Sequence, residues 1–197
     1  MNDPEFTQLR RHLDEAITYN DLAAAKKFAR EGLRLARDRE RLGEVMYFRA
    51  QLKIIAGKYE EAFCYLEKAL EFNPQDGAAY NDMALCRVEQ GKLDGILELF
   101  DKGIAIEPDY ATIYHNKGWF LNQLGHHKAA LACFEKALEF DPCRAVTYEN
   151  QADAYENLGQ IDEAIRAYQK VLELLAPSAD LIKEQIKGEI ARLEERH

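Results

Sequence analysis

The sequence predicts an all-α protein assembled from repeated pairs of short helices, and three ladders of residues carry that prediction. Gly57, Gly91, Gly125 and Gly159 stand 34 residues apart, as do Pro74, Pro108 and Pro142, and so do Tyr80, Tyr114 and Tyr148. One period shared by three residue types marks units at 43–76, 77–110, 111–144 and 145–178. An earlier, irregular unit fits 6–42 if Asn20 takes the glycine's place and three residues are inserted near Arg37-Asp38-Arg39.

Each unit reads as two helices. In 145–176, apolar or small residues fall at Tyr148, Ala152 and Tyr155 and then, past Gly159, at Ile161, Ala164, Ile165, Tyr168, Val171 and Leu172, the spacing of a helix face on both sides of a turn. The glycine suits the left-handed residue that ends the first helix. The proline cannot continue the second helix. Such a hairpin cannot cover its own apolar face, so stacking on neighbours is required. Small residues recur where helices approach closely, at Ala50, Ala84, Gly118 and Ala152, at Ala62, Ala130 and Ala164 with Ile96 interrupting, and at Ala69, Gly103 and Ala137. Large side chains fill the gap at Leu66, Phe100, Phe134 and Tyr168. Residues 179–197 read as a capping helix, with Ile182, Ile186, Ile190 and Leu193 in one apolar stripe. The Met1 start and this cap read as a complete small protein.

Composition removes several functions. Hydrophobic residues at 47% and charged residues at 31% describe a folded, water-soluble chain with no apolar run of membrane-spanning length, and the start has no signal-peptide pattern. A cytoplasmic location is the expectation. The net charge of −9 opposes nucleic acid and anionic lipid. It is unevenly spread: residues 1–42 hold nine basic and eight acidic residues, so the acid lies downstream. Cys64, Cys86, Cys133 and Cys143 lack C-x-x-C spacing and read as small hydrophobes. No phosphate-binding glycine loop, H-E-x-x-H or G-x-S-x-G occurs, and His126-His127 falls in a turn away from ligand-spaced sulfurs, so no enzyme, metal or cofactor is expected.

The large, small, large pattern of the first helix and the Ala, aromatic, Ala, Pro pattern of the second resemble the tetratricopeptide repeat over essentially the whole chain. The resemblance implies a single array over 1–197, an α-solenoid of five hairpins in a right-handed superhelical arc with a concave groove. Departures are basic residues at Arg49, Lys53 and Arg87, expected to turn outward on their aliphatic stems, and an irregular first unit with Arg37 for proline and Gly32 for alanine.

In this family the first helix of each repeat lines a groove that receives an extended peptide or a partner helix. Carried over by position, the groove residues are Tyr47 and Phe48, Asn81 and Asp82, His115, Asn116 and Trp119, and Glu149, Asn150, Asp153 and Glu156. Trp119, the only tryptophan, is read as an anchor with His115 one turn earlier. Glu149, Asp153 and Glu156 form a carboxylate stripe with no basic residue in their helix. Asn116 and Asn150 are suited to holding a peptide backbone. The basic residues of the family's carboxylate clamp are missing, which disfavours acidic chaperone tails. The expected function is a non-catalytic adaptor for a basic or basic-apolar peptide, and the alternative is a self-associating scaffold whose partner is a second copy.

Overall fold

The computed structural model describes residues 3–195, so the last two residues of the expected cap lie outside the described residues. Among the described residues there are eleven helices and no strand: α1 (Pro4–Thr18), α2 (Leu22–Asp38), α3 (Leu42–Ile54), α4 (Tyr59–Phe72), α5 (Gly77–Glu89), α6 (Ile96–Ile106), α7 (Ala111–Gln123), α8 (His127–Phe140), α9 (Ala145–Asn157), α10 (Ile161–Leu174) and α11 (Asp180–Glu194). None is long and apolar enough to cross a membrane.

The turns follow the glycine ladder. Gly57, Gly91, Gly125 and Gly159 all have φ between +67° and +79°, and Asn20, the predicted substitute, has φ +56°. A left-handed residue there lets the next amide bond back to the closing helix, as the Lys58 N–H does to the Lys53 carbonyl at 2.8 Å. The three-residue insertion is absorbed as helix. α2 is 17 residues long against 14 for α4, and it ends before a second non-glycine left-handed residue, Glu40 at φ +54°. Ala25, Ala29 and Gly32 are buried in α2 at the same spacing as Ala62, Leu66 and Ala69 in α4.

α6 departs from the pattern. It begins at Ile96, whereas α4, α8 and α10 begin two residues after their glycine, and Gly95 precedes it at φ +75°. Ile96, fully buried, stands where the equivalent residues are alanines. The larger side chain needs its own approach to the core, and the backbone before it leaves the helix.

The chain divides into two compact units, Met1–Pro108 and Asp109–His197. In the first, Phe48, Leu66, Ile96 and Phe100 are fully buried. In the second, Ile113, Phe134 and Val171 are, and α11 lays Ile186 and Leu193 against Ala164, Tyr168 and Val171 with Ile190 partly covered. Ile182 does not join that stripe: it is 47% exposed and Leu181 85%.

The cysteines also differ from expectation. Only Cys86 is buried, its thiol pushed up to about 12 by loss of water; Cys64 and Cys143 are exposed, one on the outer face of α4 and one in the turn before α9. The basic departures do lie outward on their stems. Arg87 places its guanidinium 4.2 Å from the Phe63 ring centre, Arg49 stands over Tyr65, and Lys53 pairs with Glu61.

Candidate functional site

The first helices α3 and α5 of the N-terminal unit do not present the residues expected of a groove. Phe48 is fully buried and Tyr47 5% exposed. Gly32 explains Phe48: a Cβ there would stand 2.3 Å from the Phe48 ring, so the ring occupies the space a side chain on α2 would take. Tyr47 is covered by Arg10 of α1, whose guanidinium lies 3.6 Å from the ring centre.

Arg10 belongs to no repeat ladder and is not among the expected site residues. Its Nη1 and Nη2 donate to both oxygens of Asp76 at 2.9 and 2.8 Å, and Nε and Nη2 reach Glu44 Oε2 at 3.2 and 3.0 Å. Asp76 is 3% exposed and also caps α5 by accepting the Ala79 N–H at 3.0 Å. Burial works against the Arg10 charge, but Asp76, Tyr47 and Glu44 hold it firmly protonated. The available signal was Glu44, 34 residues after Arg10 with the opposite charge.

Asn81 is likewise buried, at 2% exposed, and donates to Asp82 at 3.1 Å. Gln51 donates to the other Asp82 oxygen. Burial outweighs these bonds and pushes the Asp82 carboxyl up to about 7. Tyr47, Phe48 and Asn81 are therefore core and Asp82 is engaged internally.

The second unit keeps more of the expected face. His115 is the exception: it is 7% exposed, its Nδ1 lies 2.9 Å from Thr147 Oγ1, and its ring faces Phe134 at 6.1 Å. Burial, reinforced by the charge of Arg144, lowers it to about 3, so it is a neutral link from α7 to α9 and not a stacking floor. Asn116 and Trp119 on α7, and Glu149 and Asn150 on α9, remain partly accessible, with Asp153 exposed. Trp119 and Asp153 hold equivalent places one period apart, as do Asn116 and Asn150.

The carboxylate stripe is shorter than the sequence suggested. Arg192 of α11 closes on Glu156 with two parallel bonds, Nη1–Oε1 2.8 Å and Nη2–Oε2 2.6 Å, so Glu156 is not open to a cation. An arginine 36 positions away cannot be seen by inspecting one helix for basic residues. Asp153 accepts the Tyr168 hydroxyl at 2.7 Å. Glu149 has no ion-pair partner among the described residues. Burial raises both carboxyls, and each is raised further by a neighbouring acid, Asp153 for Glu149 and Glu156 for Asp153. The charge of Arg192 partly offsets this at Asp153, whereas Glu149 has no such cation, and a carboxylate raised by burial is stabilised by a cation that arrives. Among the described residues no three His, Cys, Asp or Glu are grouped to hold a metal ion.

Three models of the tetratricopeptide repeat match residues 53–116, 111–142 and 133–166, running without a gap over more than half of the chain. The chain is a tetratricopeptide repeat protein. Solved structures place this repeat protein among others of the same fold. TTC0263, a thermophilic tetratricopeptide repeat protein in Thermus thermophilus, is 19% identical with a TM-score of 0.70, covering 95% of this chain and 98% of its own. MamA from Desulfovibrio magneticus RS-1, residue 41 to the end, is 22% identical with a TM-score of 0.67, covering 79% and 85%. YrrB, a tetratricopeptide repeat protein with an unusual peptide-binding site, is 19% identical with a TM-score of 0.60, covering 89% and 88%. No curated protein sequence matches the chain.

Proposed function

We propose that this tetratricopeptide repeat protein is a non-catalytic adaptor that holds an extended basic or basic-apolar peptide on the α7 and α9 face of its C-terminal unit. The observation that carries this reading is the half-buried Glu149 carboxylate beside Asp153, raised by burial and unneutralised. Trp119 supplies apolar contact area, Asn116 and Asn150 hold the peptide backbone, and Glu149 with Asp153 receives a Lys or Arg side chain. The bound peptide's cation lowers the cost of keeping both acids ionised, which makes association salt-sensitive.

The test is calorimetric titration with extended peptides that combine one or two Lys or Arg residues with an apolar anchor. Trp119→Ala is expected to weaken binding by about 2 kcal/mol, and Asp153→Lys to abolish the preference for basic over neutral peptides. Peptides bound equally by wild type and by the Trp119→Ala/Asp153→Lys double variant would overturn the reading.

A further inference from the structure

The first hairpin carries a cleft of about 350 Å³ between α1 and α2, bounded by His12, Glu15, Ala16, Tyr19, Asp21 and Phe28. The His12 and Phe28 ring centres lie 5.1 Å apart, and Tyr19 is 63% exposed. Glu15 is exposed and makes no ion pair among the described residues. Asp21 accepts the Ala24 N–H at 2.9 Å to cap α2 and likewise makes no ion pair among the described residues.

The same cleft in other hairpins is filled by the chain's own cations. In the second hairpin, Arg49, Lys53, Glu61 and Tyr65 stand 37 residues after His12, Ala16, Ala24 and Phe28. The Arg49 guanidinium lies 5.9 Å from the Tyr65 ring centre, and Lys53 pairs with Glu61. In the last hairpin the corresponding cleft, between α9 and α10, is lined by Tyr155, Arg166 and Lys170, with Arg166 paired to Glu163 at 3.0 Å. The first hairpin keeps an aromatic ring and carries two carboxylates, but it has Ala16 for Lys53 and His12 for Arg49. Two cations nearby do not take their place. Lys27, equivalent to Arg166, brings its Nζ only to 5.7 Å from the Phe28 ring centre, and Arg11 precedes Glu15 by one turn; neither lines the cleft or pairs with Glu15 or Asp21. Glu31 puts an acid at the place of Lys170.

We propose that this cleft binds the guanidinium of an arginine side chain on a partner protein. A guanidinium is flat and weakly hydrated, so it stacks on Phe28 or Tyr19 while its N–H fork donates to Glu15 or Asp21. Free arginine would bring its own carboxylate against those two acids, which favours a side chain held within a polypeptide. The site belongs to the N-terminal unit and does not depend on the α7 and α9 face.

Amide chemical shifts of the nitrogen-15-labelled full chain, titrated with blocked Gly-Arg-Gly, test this. Shifts are expected on α1 and α2 around Glu15, Tyr19 and Phe28. Blocked Gly-citrulline-Gly, similar in shape but uncharged, should give none there, and free arginine should bind more weakly than the blocked peptide. Glu15→Gln, at an exposed position, and Phe28→Leu should each weaken binding about threefold or more. Ala16→Lys, which restores the cation of the second hairpin, should abolish the shifts while the circular dichroism stays helical, and Lys27→Ala should leave binding intact. An equal response to the citrulline peptide, tighter binding of free arginine, undiminished binding by Ala16→Lys and Glu15→Gln, or shifts confined to α7 and α9 overturns the proposal; the last result would leave the function proposed above standing without this one.

Discussion

Arg192 and Glu156 face each other as two flat, parallel groups, one from the closing helix and one from α9, with bonds of 2.8 and 2.6 Å. The helix that covers the end of the core thereby also removes one carboxylate from the face proposed to bind a cation. Arg192 further meets Glu189 of its own helix at 2.8 Å, which holds the guanidinium in place.

Removing that arginine should strengthen peptide binding. Arg192→Ala returns Glu156 to the stripe with Glu149 and Asp153, so a peptide with two basic residues is expected to bind more tightly, and to lose more of that affinity as salt is added. Titrations at two ionic strengths check this; unchanged affinity at low salt would exclude Glu156 from the site.

Gly32→Ala tests why Phe48 is core. The added Cβ would lie 2.3 Å from the Phe48 ring, with no slack in a fully buried aromatic. A loss of roughly 1–3 kcal/mol is expected in urea unfolding, and Phe48→Leu in the same chain should return part of it.

Arg10 is expected to matter more for stability than any surface ion pair. Its removal leaves Asp76, 3% exposed, without its cation beside Glu44. Arg10→Ala should cost on the order of 3 kcal/mol. In a double-mutant cycle with Glu44→Ala the two losses should be less than additive.

Two buried groups give opposite dependence on pH. His115 is held at about 3 against an ordinary 6.5, so between those values the unfolded chain takes up a proton the folded chain refuses, and stability falls as pH falls. Asp82 is raised from 3.8 to about 7, so across that window the folded chain holds the extra proton and stability falls as pH rises. Asp82→Asn should therefore stabilise at pH 8 and change little at pH 4, while His115→Gln should flatten the acid limb. Urea midpoints from pH 4 to 8 read both; an Asp82→Asn profile parallel to wild type would contradict the first.

The repeat was legible because it is written in backbone-dictating residues. A left-handed turn needs glycine or asparagine, and Asn20 could be placed by that need alone. The face was less legible because position along a helix fixes direction but not coverage. Tyr47 and His115 point as the repeat pattern implies, yet one lies beneath Arg10 and the other is closed in beside Thr147 and Phe134. Glu156 is answered from another helix. Each of these depends on a side chain from elsewhere in the chain, and periodicity carries no information about which long side chain folds back. Gly95 was visible as a glycine, but without a ladder it gave no sign that α6 begins late.

That late start has a use. Residues 93–95 lie between the turn at Gly91 and the first residue of α6, all exposed, and Leu93 is 52% exposed. The Lys92 N–H still bonds back to the Arg87 carbonyl and the Gly95 carbonyl already accepts the Leu99 N–H, so Leu93 and Asp94 form the link between the two helices, while Ile96 anchors α6 to the core. A foreign sequence spliced between Leu93 and Gly95, whether a fluorophore tag, an epitope or a protease site, would enter the only second helix among α2, α4, α6, α8 and α10 whose opening turn the repeat has already surrendered.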